Sequence, residues 1–209
     1  MPRARQQSEA RIRDRRRRLA HEAARLMSEG GISDFRQAKL KAASRLGIQD
    51  DASLPRNSEV EEALREYQRL FHGSGQDEAL RQRREAALEA LQFFAPFQPR
   101  LVGPVLEGTA DAHSPVSLQL YPEHPEEVPL FLDEHGIPAT ERSRRMRLDR
   151  SRSGDFPVWT FTADDLEFDL TVLPQLALRQ APLSNVDEKP MRRASAAQLE
   201  TLIDETSSP

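Results

Sequence analysis

The stretch Leu101-Val102-Gly103-Pro104-Val105-Leu106-Glu107-Gly108-Thr109-Ala110, continuing as Asp111-Ala112-His113-Ser114-Pro115-Val116-Ser117-Leu118, marks a change of period along the chain. Before it, apolar residues recur at helical spacing. After it, they alternate. Val116, Leu118 and Leu120 are separated by Ser117 and Gln119, which predicts a half-buried strand over 116–120. Proline at 115 argues against a well-paired central strand here.

On the N-terminal side, four helices are expected. Ile12, Leu19, Ala23, Leu26 and Met27 share one helical face, and Gly30-Gly31 end it. Asp34 with Gln37 opens a second helix, carrying Phe35, Ala38, Ala42 and Leu46 inward and ending at Gly47. Gln49 to Pro55 reads as a loop. Ser58 with Glu61 then forms a capping pattern before Val60, Leu64, Tyr67 and Phe71. Gly73-Ser74-Gly75 reads as a short linker. A fourth helix is expected from Gln76 to Ala95, with Leu80, Leu88, Leu91 and Phe94 inward, closed by Pro96 and Pro99.

On the C-terminal side, Glu126 to His135 predicts a short helix ended by Gly136. Phe156–Phe161 and Leu166–Leu173 predict two strands joined at Ala163-Asp164-Asp165. In the second, Leu166, Phe168, Leu170 and Val172 face one way, and Glu167, Asp169 and Thr171 the other. Ser195 with Gln198 caps a last short helix. The organisation expected is α+β. A helical, Arg-rich region over 1–75 precedes a small mixed-sheet domain over 76–180, and a segment with a short helix follows over 181–209.

The 101–120 segment, with its flanks from about 76 to 180, resembles the start of a nucleotidyltransferase domain of the polymerase-beta-like superfamily. In that family a strand ends in Gly-Ser, a short helix follows, and the next strand carries two aspartates at alternate positions. A third carboxylate comes from a neighbouring strand. The resemblance implies that Gly103, Gly108, Thr109 and Ser114 contribute to nucleotide binding. Glycine lets backbone approach phosphates closely. It places Pro104 where the family has serine, Glu107 where a basic residue often stands, and Pro115 and Ser117 where the paired aspartates belong. Asp169, with Glu167, occupies the third-carboxylate strand. Neither Pro115 nor Ser117 offsets the charge of a metal-bound triphosphate, so two-metal catalysis is not expected. No catalytic residue, metal or cofactor is expected. Mg²⁺ enters only under the alternative of an active transferase that uses Asp169 and Glu167 with a non-standard carboxylate set. A structural or regulatory interaction module is the other alternative.

Charge bears on partners. The net charge is −4, yet the first fifty residues carry 13 Lys and Arg against 6 Asp and Glu. Arg15, Arg16, Arg17 and Arg18, with Arg11 and Arg13, form a dense basic run. Such a run either contacts nucleic-acid phosphates or is a solvated face that meets acidic groups, of a protein partner included. No aromatic residue is interleaved to stack on bases. The five histidines are scattered without ligand spacing. There is no cysteine, hence no disulfide or thiolate site. No Gly-x4-Gly-Lys-Ser/Thr loop is present. No apolar run is long enough to span a bilayer. A cytoplasmic location with no membrane partner is the expectation.

Overall fold

The computed structural model describes residues 2–32, 34–48, 53–71 and 74–207. Most helical residues come before the first strand, so the fold is α+β. The chain divides into two compact units. One is Met1–Gly75 with Asn185–Asp187, and the other is Gln76–Ser184 with Glu188–Pro209.

The first unit holds α1 (Pro2–Gly30), α2 (Phe35–Leu46) and α3 (Asn57–Phe71). Leu19, Ala20, Ala23, Ala24 and Leu26 of α1 are buried against Ala38 and Ala42 of α2 and Val60, Ala63 and Leu64 of α3. Six of these ten are alanines, which permits close helix approach and limits the apolar area buried. The start of α2 follows its sequence, because the Asp34 carboxylate accepts from the Gln37 N–H at 2.7 Å. Its end follows too, with Gly47 left-handed at φ 64°. The start of α3 differs from expectation. The helix begins at Asn57, just past Pro55, and Glu59, not Glu61, reaches back to accept from the Arg56 N–H at 2.6 Å. Ser58 therefore sits inside the first turn. Of the loop expected over Gln49–Pro55, residues 49–52 lie outside the described residues, as does Gly73 of the expected linker.

The second unit takes up α4 (Ser74–Phe93) from Gln76 onward. Ser74 and Gly75, expected as linker, are its first turn, where N–H groups lack intrahelical partners anyway. The helix stops two residues earlier than expected and passes into a 3-10 turn at Ala95–Phe97, with Pro96 inside it. Five strands follow: β1 (Arg100–Val102), β2 (Val116–Leu120), β3 (Thr140–Arg147), β4 (Ser153–Ala163) and β5 (Leu166–Val172). Their order is β1-β2-β5-β4-β3. Only β2 and β5 are parallel; the other neighbours are antiparallel. Between strands lie α5 (Pro104–Glu107) and α6 (Glu127–Glu134), and after β5 come α7 (Leu176–Arg179) and α8 (Ala196–Ser207).

Pro115 does not weaken its segment as its missing N–H suggests. β2 starts one residue later and pairs on both sides. The sheet's apolar face packs Leu101, Val116, Leu118, Leu120, Phe168 and Leu170 against Leu91, Phe94, Val105, Val128, Leu132 and Leu199. On the opposite face Tyr121, Met146, Leu173 and Ala177 gather at one end. The reciprocal cap Ser195/Gln198 starts α8, with hydrogen bonds of 2.9 and 3.4 Å. The β4–β5 turn places Asp164 and Asp165 at φ 49° and 63°, a left-handed pair that suits a tight hairpin.

Candidate functional site

The turn after β1 is built by two glycines that need positive φ. Gly103 (φ 72°) ends β1 and Gly108 (φ 79°) ends α5. The Thr109 N–H closes on the Pro104 carbonyl at 2.9 Å, and Thr109 is buried. Gly103, Gly108 and Thr109 are thus gathered around one short helix. Ser114 closes the following turn instead. Its Oγ donates to Asp111 Oδ1 at 2.9 Å and accepts from the Asp111 N–H at 3.0 Å.

Beneath this turn lie two side chains that the motif pattern does not single out, Arg83 and Arg84 of α4, both buried. Arg83 donates to the carbonyls of Ser114 (2.8 Å), Ala112 (2.7 Å) and Ala79 (3.1 Å). Arg84 donates to the Val105 carbonyl (3.4 Å) and the Thr206 hydroxyl (3.3 Å). A Cβ at Gly108 would lie 3.7 Å from Arg84 Nη2. Burial lowers the proton affinity of both guanidiniums; for Arg83 the charge of Asp111 opposes this. A signal exists in the sequence, since Leu80, Arg83, Arg84, Ala87 and Leu91 recur at the helical spacing of the inward face.

On the polar face of the sheet, register places Val102, Ser117, Asp169, Thr160 and Thr140 in one row across all five strands. Ser117 is directly beside Asp169. Glu167, the next residue of β5 on that face, is exposed and stands beside Thr162. Asp169 is not an exposed carboxylate as its alternation suggests; it is 7% exposed. The reason is Arg144 of β3. Its Nη1 donates to Asp169 Oδ1 at 3.1 Å and to Thr171 Oγ1 at 3.1 Å, and its Nη2 donates to Asp169 Oδ2. The guanidinium reaches Asp169 from beyond β4, on the side of Val158, which is buried. Both oxygens of the central carboxylate are therefore engaged by a cation of the protein itself. Among the described residues there is no group of three or more His, Asp or Glu that could hold a metal ion.

β3 is not foreseeable from pattern, because Thr140-Glu141-Arg142-Ser143-Arg144-Arg145-Met146-Arg147 has no apolar alternation. It is an edge strand, exposed along six of its eight residues. Charge on an edge strand discourages pairing with other chains. Three of its four arginines are engaged: Arg144 with Asp169, Arg145 with Asp155 (3.4 Å) and Arg147 with Glu188 (2.7 Å).

The N-terminal basic run lies on α1 of the other unit. Arg11, Arg13, Arg15, Arg17 and Arg18 are exposed and Arg16 is half-buried. Four consecutive residues turn almost once around a helix, so they cannot share a face. Arg11, Arg15 and Arg18 form one stripe. Arg17 and Arg18 line a shallow depression of about 460 Å³ with Asp14, His21, Glu22, Leu46 and Tyr67, so carboxylates share that site. A separate groove of about 530 Å³ lies past the ends of β2 and β5, lined by Pro122, Pro125, Pro157, Pro174, Phe156 and Leu173 with Glu123 and Asp155.

Comparison with protein-family models, with curated proteins and with solved structures finds no match to this chain. No helix among the described residues is long and apolar enough to cross a membrane.

Proposed function

We propose that the second unit is a nucleotidyltransferase-like domain that has lost catalysis and now works by binding the phosphates of a nucleotide or nucleic acid, in a cytoplasmic setting. The observation that carries this reading is the row Ser117–Asp169 with Arg144 closed onto Asp169. A phosphoryl-transfer site of this kind needs converging carboxylates to hold metal ions on both sides of the reacting phosphate. Here a neutral hydroxyl stands where a second carboxylate is required, and the remaining one is neutralised. Support for the family reading comes from the parallel pairing of β2 with β5, which makes the motif strand and the third-carboxylate strand direct neighbours. It comes also from the two positive-φ glycines that bracket α5.

The test is retention without conversion. In equilibrium dialysis the full chain is expected to hold labelled nucleoside triphosphate and to return it unchanged. Replacing Pro115 and Ser117 by Asp is expected to add Mg²⁺-dependent binding that the native chain lacks. Failure of the native chain to retain any nucleotide, single-stranded RNA or DNA at low salt would leave the interaction-module alternative in its place.

A further inference from the structure

We infer that Arg144, assisted by Arg142, replaces the divalent metal of this site, so that the polar sheet face binds an oligophosphate such as a nucleoside triphosphate without any metal ion. This rests on the non-catalytic binding reading and adds how the ligand is held.

A guanidinium has five N–H groups in a planar fork. Arg144 spends three of them: two on the Asp169 carboxylate through Nη1 and Nη2, and one on Thr171 Oγ1. The end-on edge of the fork is thus closed against Asp169. The two N–H groups that remain, on Nε and Nη2, lie on the side-on edge of the same plane. Side-on pairs of this kind match two oxygens of one phosphate. The Arg144 side chain as a whole is 45% exposed. Asp169 acts as a positioning residue, fixing the guanidinium through both of its oxygens as a carboxylate orients a metal-bound histidine.

Arg142 supplies the second charge. It lies two residues along β3 on the same face, opposite Val158, and is exposed. No carboxylate lies within ion-pair distance of it among the described residues. The Ser117 hydroxyl, beside Asp169, adds a neutral donor. Glu167 is the one exposed carboxylate of β5 on this face and opposes the ligand's charge.

The experiment is titration calorimetry of the full chain with tripolyphosphate and with ATP, in excess EDTA and in excess MgCl₂. The expected result is binding in EDTA at least as tight as in MgCl₂, because Mg²⁺ competes for the phosphate oxygens. Arg142→Ala, at an exposed position, is expected to weaken it about tenfold, as the removal of one charge-assisted hydrogen bond does. Arg144→Lys keeps an ion pair for Asp169 but loses the side-on edge, and is expected to weaken binding at least as much. Asp169→Asn keeps one acceptor but turns an N–H group against Arg144, so the guanidinium loses its positioning and binding in EDTA is expected to weaken. Binding only in MgCl₂, lost in Asp169→Asn, would overturn the inference and leave the binding reading intact. No binding of either probe in EDTA, or equal binding by both arginine variants and the native chain, would also overturn it. Conversion of ATP would instead overturn the non-catalytic reading.

Discussion

Arg84 shows how a single buried charge can hold a turn. It has no carboxylate partner among the described residues; its hydrogen bonds go to a carbonyl of α5 and a hydroxyl of α8. Carbonyls near a helix C-terminus carry partial negative charge, which offsets part of the desolvation cost. Arg84→Ala removes the bonds and leaves a cavity, with an expected loss of roughly 2–4 kcal/mol in chemical denaturation. Arg84→Met fills the space and removes the buried charge, so its loss is expected to be the smaller of the two. Equal losses would show that packing alone, and not the charge, decides the energetics. Gly108 meets the same side chain from above. Gly108→Ala is expected to cost about 1–2 kcal/mol, because an L residue is disfavoured at φ 79°. Tyr121 makes stability depend on pH in the alkaline range. Its buried hydroxyl donates to Gln119 Oε1 (2.7 Å) and accepts from Arg193 Nη1 (2.9 Å). Burial raises its pKa, against the opposing pull of Arg193. A raised pKa means that the unfolded tyrosine ionises first, near pH 10. Its contribution is complete below that pH and is lost as pH climbs from there towards the folded value. Tyr121→Phe is expected to flatten the alkaline limb of a stability–pH curve, at a cost of roughly 1–3 kcal/mol at neutral pH from the polar groups left unsatisfied.

At the scale of elements, the contrast between β2 and β3 explains what the sequence discloses. In β2 and β5 alternation is explicit, because one face is apolar core throughout, and the placement of Ser117 and Asp169 on one face follows from that period; their direct pairing is a matter of register. β3 is an edge strand with charge on both faces, so nothing in its composition distinguishes it from a loop; it pairs only because β4 offers a free edge. The ion pair that redefines the site comes from this strand, 25 residues from Asp169 in sequence, which is why the carboxylate reads as free. The caps divide the same way. Asp34/Gln37 and Ser195/Gln198 form where their spacing places them. Ser58/Glu61 has the same spacing and loses to Arg56/Glu59, because the helix can start as soon as Pro55 is passed. The α1 arginines test the nucleic-acid proposal at this scale. Replacing Arg11, Arg15 and Arg18, one stripe, by Ala is expected to weaken binding of any single-stranded RNA about equally. The salt slope is expected to fall by about 0.7 for each phosphate no longer neutralised. Binding that is sequence-dependent, or insensitive to this triple change, would assign the run to a solvated face.

Across the whole molecule, the division near residue 75 tracks a change in what is buried: an alanine-lined helical core before it, and a branched and aromatic core against a sheet after it. Fold class is therefore readable from period and composition. The candidate site is readable only in part. Gly103, Gly108, Thr109, Ser117 and Asp169 come from local pattern, whereas Arg83, Arg84 and Arg144 act through carbonyls and carboxylates distant in sequence. The proposed function is phosphate binding without transfer. It is tested most directly by incubating the full chain with each of the four labelled ribonucleoside triphosphates, Mg²⁺ or Mn²⁺, and RNA, DNA or protein acceptors. No label is expected to become covalently attached to any acceptor, in native protein and Asp169→Asn alike. Robust incorporation by the native chain that disappears in Asp169→Asn would contradict the account, because it would require Asp169 to leave Arg144 and hold a catalytic metal.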